Sequence, residues 1–107
     1  MTTPEKLDNV SVKLKANVYF GGLVVSHSIF LKDGSKKTAG LIYPGSFNFN
    51  TDAPERMDIL AGECKVRLKG GKDWKKYDAG SFFKVPGKSS FDIAVDNGIA
   101  EYLCTFE

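Results

Sequence analysis

Glu55 and Arg56 set a carboxylate and a guanidinium side by side, directly after the turn-forming run Thr51-Asp52-Ala53-Pro54. A carboxylate held in a cleft can bind sugar hydroxyls or stabilise a developing cation. The plainer alternative is a solvated Glu55 paired with Arg56 or a lysine, since exposed carboxylates are the default. Arg56 carries a planar fork of donors that suits phosphate. Lys36, Lys37 and Thr51 offer further cations and a hydroxyl for the same anion. A solvated basic loop is the competing account of the two lysines. Tyr43 and Tyr19 could donate a proton or a hydrogen bond. Phe47, Phe49 and Phe91 offer faces on which a planar group could stack, although each also suits the core of a small β-protein.

Other chemistries fit less well. The chain has one histidine, His27, set among Val24, Val25 and Ile29. Neither a three-histidine, one-glutamate site nor a two-histidine, one-carboxylate triad can be built from it, so no metal and no cofactor is expected. A lone histidine in an apolar strand is most often a hydrogen-bonded core or rim residue. The sequence contains no Gly-x-Ser-x-Gly, no Cys-x-x-Cys and no phosphate loop. The turns Gly70-Gly71-Lys72 and Gly87-Lys88-Ser89-Ser90 offer amides and cations, a signal that most turns of this kind share.

The elements that must position these residues follow a period of two, as half-buried strands require. Strand-like runs cover Val10 to Leu14, Val18 to Phe20, Leu23 to Leu31, Thr38 to Tyr43 and Ser46 to Asn50. Further runs cover Arg56 to Ala61, Cys64 to Leu68, Trp74 to Tyr77, Phe82 to Val85, Phe91 to Val95 and Ile99 to Phe106. Asp33-Gly34 is a strong hairpin turn, and Pro44-Gly45 and Asp96-Asn97-Gly98 are breaks. No segment shows a helical period. Short strands at this spacing predict a sandwich or closed barrel.

Two spacings sharpen that expectation. Glu55-(x6)-Gly62 and Gly80-(x5)-Pro86-Gly87-(x3)-Phe91 are similar to the two motifs of cupin barrels. Phe47-Asn48-Phe49 stands where a metal cupin carries His-x-His, and Phe91 where it carries its last histidine. Alternation then turns Glu55, Met57 and Ile59 inward and Arg56 and Asp58 outward. Twist at the strand end leaves an anion-binding role open for Arg56. Cys64, Val66 and Leu68 form one apolar parity, and Phe91, Ile93 and Val95 another. If Phe47 and Phe49 point inward, Leu41 and Tyr43 share their face. The cavity expected is aromatic and aliphatic with one carboxylate at its rim.

The bulk numbers bound the partners. At 107 residues the chain is expected to form one domain with a real core. Fifteen basic against 13 acidic residues give a net charge of +2, too small to suggest a nucleic-acid or membrane surface. No apolar run is long enough to span a bilayer as a helix, and Met1 to Lys6 has no apolar export signal, so a cytoplasmic location is expected. Cys64 and Cys104 are then expected as buried free thiols.

Ordered over most of the chain are Asn17-x-Tyr19-Phe20, Pro44-Gly45-x-Phe47-x-Phe49, Ala53-Pro54-Glu55, Gly62 and Trp74. They continue with Ala79-Gly80-Ser81, Val85-Pro86-Gly87, Phe91 and Tyr102-Leu103-Cys104. In this set the chain resembles the pyrimidine/purine nucleoside phosphorylases of the small single-domain cupin type. His27 and Arg67 have no place in that pattern. The resemblance implies an all-β, single-domain cupin, a double-stranded β-helix or jelly-roll barrel, over residues 16–107, with residues 1–15 as an N-terminal extension. It also implies a homodimer that splits purine and pyrimidine nucleosides with inorganic phosphate into free base and pentose 1-phosphate. Physical roles then follow for the residues above: Glu55 and Tyr43 in catalysis; Phe47, Phe49, Phe91 and Tyr19 against the nucleoside; Arg56, Thr51, Lys36 and Lys37 on phosphate. Strand ends at Val18 to Phe20 and Leu103 to Phe106 offer edges for a dimer. A non-enzymatic cupin binding a sugar-like ligand, and a filled barrel serving only dimerisation, are the alternatives.

Overall fold

The computed structural model describes residues 3–107; Met1 and Thr2, the start of the expected extension, lie outside the described residues. The strands are β1 (Ser11–Val12), β2 (Asn17–Tyr19), β3 (Val24–Phe30), β4 (Lys36–Ile42), β5 (Gly45–Asn50) and β6 (Glu55–Ala61). They continue with β7 (Glu63–Leu68), β8 (Lys75–Asp78), β9 (Phe82–Val85), β10 (Ser90–Val95) and β11 (Ala100–Phe106). One turn of 3-10 helix, Phe20–Gly22, follows β2.

The pairing has a simple rule. β4 pairs with β11, β5 with β10, β6 with β9 and β7 with β8, all antiparallel. The second half of the chain thus runs back along the first as one long hairpin. The coiling of that ribbon sends successive pairs to alternate sheets. The larger sheet has the order β1-β3-β4-β11-β6-β9, with β2 also on β3, and the smaller has the order β5-β10-β7-β8. This is the jelly-roll wrapping expected from the sequence. The two sheets face each other and are not joined by strand pairing into a closed barrel.

Burial follows alternation within each strand. Met57 and Ile59 on β6, Cys64 and Val66 on β7, and Phe91, Ile93 and Val95 on β10 fill the space between the sheets. Both cysteines are buried and free. Alternation fails across Pro44-Gly45, where the chain leaves one sheet for the other. Gly45 has φ +151°, and a Cβ there would meet the Phe47 ring at 2.6 Å. The inward residue at the end of β4 is therefore Ile42, 1% exposed, and not Leu41 or Tyr43. A second correction concerns the edges. β11 is hydrogen-bonded on both sides, to β4 and β6, so Leu103 to Phe106 present no free edge.

The loops at one end are stapled together. The Thr51 hydroxyl donates to the Pro86 carbonyl at 2.6 Å and accepts from the Ser89 amide at 3.0 Å. Gly87 passes so close that a Cβ would lie 2.9 Å from the Asp52 carbonyl oxygen. This staple fixes the start of β6, and with it Glu55.

Candidate functional site

Strands paired in register place their inward side chains in rows across the larger sheet. The row nearest solvent holds Lys36, Phe106 and Glu55: Phe106 pairs with Glu55, and the Lys36 ammonium lies 5.2 Å from its ring centroid. The next row holds Ser28, Thr38, Cys104 and Met57. Ser26, Gly40, Tyr102 and Ile59 follow, then Val24, Ile42 and Ala100. Polarity falls from one end of the sheet to the other. At the polar end a cavity of about 440 Å³ opens between the sheets.

Opposite the polar rows stands an aromatic wall. Phe49 and Phe91 stack with centroids 5.8 Å apart and planes inclined by 26°. Phe20 and Tyr19 extend the wall to the rim, each edge-on to Phe49, at 5.4 and 6.0 Å.

Burial dominates the electrostatics. It holds the half-buried Glu55 carboxyl above the usual carboxylate range, partly offset by a hydrogen bond from the Cys104 thiol to its Oε1 at 3.5 Å. Burial and the neighbouring Glu55 charge push the Cys104 thiol up, so it stays a protonated donor. Burial pushes the Tyr102 phenol up to about 12 against the pull of its hydrogen bond with Ser26. Gly40 makes room for that phenol, because a Cβ there would meet the Tyr102 ring at 2.8 Å and the Val25 carbonyl oxygen at 2.6 Å. Behind Ser26, the Asn17 amide nitrogen lies 3.2 Å from the hydroxyl oxygens of both Ser26 and Ser28.

Of the residues singled out from sequence, the cavity brings together Glu55, Lys36, Tyr19, Phe49 and Phe91. Phe47 is buried behind the wall, its ring 5.0 Å from Phe20. Tyr43 lies beyond the end of β4, its amide bonded to the Leu23 carbonyl. Arg56 is turned to the outer face, against Asp58 at 3.2 Å and over the Phe82 ring at 3.9 Å. Lys37 shares that face and donates to Thr105 at 2.9 Å, while Thr51 is spent in the loop staple. His27 is also outside the cavity, donating its Nδ1–H to the Lys13 carbonyl at 3.2 Å. Asn17, Ser26, Ser28, Thr38, Tyr102 and Cys104 line the cavity and were not anticipated. Their one signal was parity: Ser26 and Ser28 are in phase with Val24, and Thr38 with Ile42.

Among the described residues no group of three or more His, Cys, Asp or Glu side chains converges as metal ligands would. Among them, no helix is long and apolar enough to cross a membrane.

A family model described as pyrimidine/purine nucleoside phosphorylase matches residues 14–106. The chain belongs to the pyrimidine/purine nucleoside phosphorylase family. A relative of that name from Methylobacillus flagellatus is 55% identical over 102 residues, covering 95% of this chain and 98% of its own. A crystal structure of a protein of unknown function from Acinetobacter shares the fold closely. Its TM-score is 0.92 at 43% identity, over 95% of this chain and 98% of that one. The cupin fold is seen from further away. Bacillus subtilis oxalate decarboxylase matches with a TM-score of 0.75 at 14% identity, over 98% of this chain and 30% of its own. Within the family fold, Glu55 and the stacked pair Phe49–Phe91 are thus on one cavity, set there by β6, β5 and β10.

Proposed function

We propose that this chain is a broad-specificity nucleoside phosphorylase that converts purine and pyrimidine nucleosides and inorganic phosphate to free base and pentose 1-phosphate. The observation that carries the reading is one cavity with an aromatic wall facing a half-buried carboxylate. Glycosidic cleavage passes through a cationic, oxocarbenium-like sugar. Glu55 beneath the sugar binds its hydroxyls and stabilises that charge more strongly than a carboxylate in water would. The base stacks on Phe49 and Phe91. Stacking suits every base, and an apolar wall rejects little, which accounts for tolerance of purines and pyrimidines alike.

The reading needs no metal, since the charge stabilisation comes from Glu55 and the one histidine lies outside the cavity lining. A homodimer, as the resemblance implies, belongs to the same reading and is checked by sedimentation. The deciding experiment follows release of uracil from uridine and adenine from adenosine, with and without phosphate. Release of both bases only with phosphate is the expected result. Release that ignores phosphate would make the protein a hydrolase. No release in either condition would leave a binding module.

A further inference from the structure

Phosphorolysis needs a second subsite, for a tetrahedral oxyanion, and the cations expected to build it from sequence mostly face the wrong way. Arg56 and Lys37 are on the outer face with partners of their own. Lys36 is the one cation among the cavity-lining residues. Its contact is the Phe106 ring, and among the described residues no carboxylate lies within ion-pair distance of it. By contrast Lys65, Lys76, Lys84, Arg56 and Arg67 are each neutralised by an acidic side chain.

Donors stand beside it. Ser28 and Thr38 are register partners in the row behind Lys36. The Asn17 amide nitrogen donates to the oxygens of Ser26 and Ser28, occupying an acceptor site on each. Ser26 shares its row with Tyr102, one layer deeper than Ser28. Ser28 has no other partner among the described residues, so its O–H is left to donate into the cavity. Thr38 stands in register between Ser28 and Cys104 and lines the cavity, a second hydroxyl beside Lys36. On the same row as Lys36, Glu55 lies two strands away, about 10 Å at the usual strand spacing. That gap is wide enough to seat a sugar ring between a carboxylate and a phosphate and to limit their repulsion.

We propose that Lys36, Ser28 and Thr38, with Asn17 orienting Ser28, form the subsite that holds inorganic phosphate as co-substrate. The assignment rests on the phosphorylase reading. In the step it serves, a phosphate oxygen forms a bond to C1′ of the sugar as the C1′–N bond breaks. The electron pair of that bond goes to the base nitrogen, and the proton of hydrogenphosphate ends on the base.

The test is Lys36→Met, with Lys65→Met on the opposite sheet as the control. Loss of a charge-assisted contact should raise the KM for phosphate about tenfold or more while the KM for uridine changes little. Ser28→Ala should raise it by less, and the control should not move it. An unchanged phosphate KM in Lys36→Met, or a rise produced instead by Lys37→Met, would overturn the subsite. Binding is read separately, as broadening of the phosphorus-31 signal of inorganic phosphate on adding protein. Broadening lost in Lys36→Met supports the subsite even if the wild-type chain releases no base, in which case only the phosphorylase reading fails. A wild-type chain that produces no broadening overturns the subsite. Uridine 5′-monophosphate provides the last arm. If it binds through Lys36 and inorganic phosphate does not, the subsite belongs to a nucleotide phosphoryl group and free phosphate is excluded.

Discussion

The two ends of the space between the sheets are built by the same strands and do opposite things. At one end β6, β10 and β11 contribute Ile59, Val95 and Ala100, all 2% exposed or less. Four residues along the same strands come Glu55, Phe91 and Cys104, and there the sheets enclose a cavity. The difference lies in neither pairing nor topology, which are continuous along each strand. It lies in which side chains occupy successive inward positions. Apolar side chains such as Val24, Ile42, Val95 and Ala100 close the sandwich. A serine, a threonine, a lysine and a carboxylate leave it open, because hydrogen-bonding groups stay where water or a ligand can reach them. The packed end holds the frame, and the open end can carry polar groups that cost stability.

Substitutions at the two ends should therefore separate stability from turnover. The largest effect on turnover is expected from Glu55→Gln, which keeps shape and removes charge. Phosphate-dependent base release should fall by roughly 10²–10³-fold, as for other preorganised charge-stabilising groups. A variant of near wild-type rate would move the sugar-stabilising role away from Glu55. At the packed end Ile59→Ala should cost about 2–5 kcal/mol in urea unfolding, with nucleoside KM little changed wherever the protein stays folded. A large KM change without loss of stability would mean that the ends are not separable. Phe49→Ala removes one face of the aromatic wall. The KM for uridine and adenosine should rise together, by an amount equivalent to about 1–3 kcal/mol of lost stacking, read from initial rates. A rise for one base only would show that the wall discriminates.

The smallest effect sharpens the comparison through pH. Burial raises the Glu55 carboxyl, so its neutral form favours the fold below the unfolded-chain value. That contribution is lost as pH rises through the folded value. Glu55→Gln should thus melt at a higher temperature than wild type near neutral pH. The gap should close as the solution is acidified and the wild-type carboxyl becomes neutral as well. A gap that stays constant between pH 4 and 8 would place the carboxylate in water.

Much of this frame is legible in the sequence. Alternation within β6 and β10 is unbroken, so the residue order alone places Glu55, Met57, Ile59, Phe91 and Ile93 on the inward face. Alternation does not carry across a corner between sheets. Pro44-Gly45 is such a corner, and Tyr43 is misassigned to the inward face for that reason. The hydroxyl wall is hard to read for another reason. A serine on a strand is usually solvated, and nothing in Val24 to Ile29 shows that Ser26 and Ser28 share an amide from Asn17, nine and eleven residues earlier. That contact depends on β2 folding back on β3. Gly40 is legible only as a strand glycine. Its purpose, to admit the Tyr102 ring, depends on β11, far along the chain.

The nested pairing also bears on how the protein comes into being. β11 sits between β4 and β6 and carries Tyr102, Cys104 and Phe106, so the centre of the larger sheet is synthesised after both of the strands that flank it. Until it arrives, β4 and β6 each lack a neighbour and the cavity lacks its floor. Such distant pairings delay folding until loop-closure entropy can be met by many contacts at once. Nascent chains ending before Ala100 should accordingly be protease-sensitive and inactive. Addition of the final strand would then switch on fold and site together.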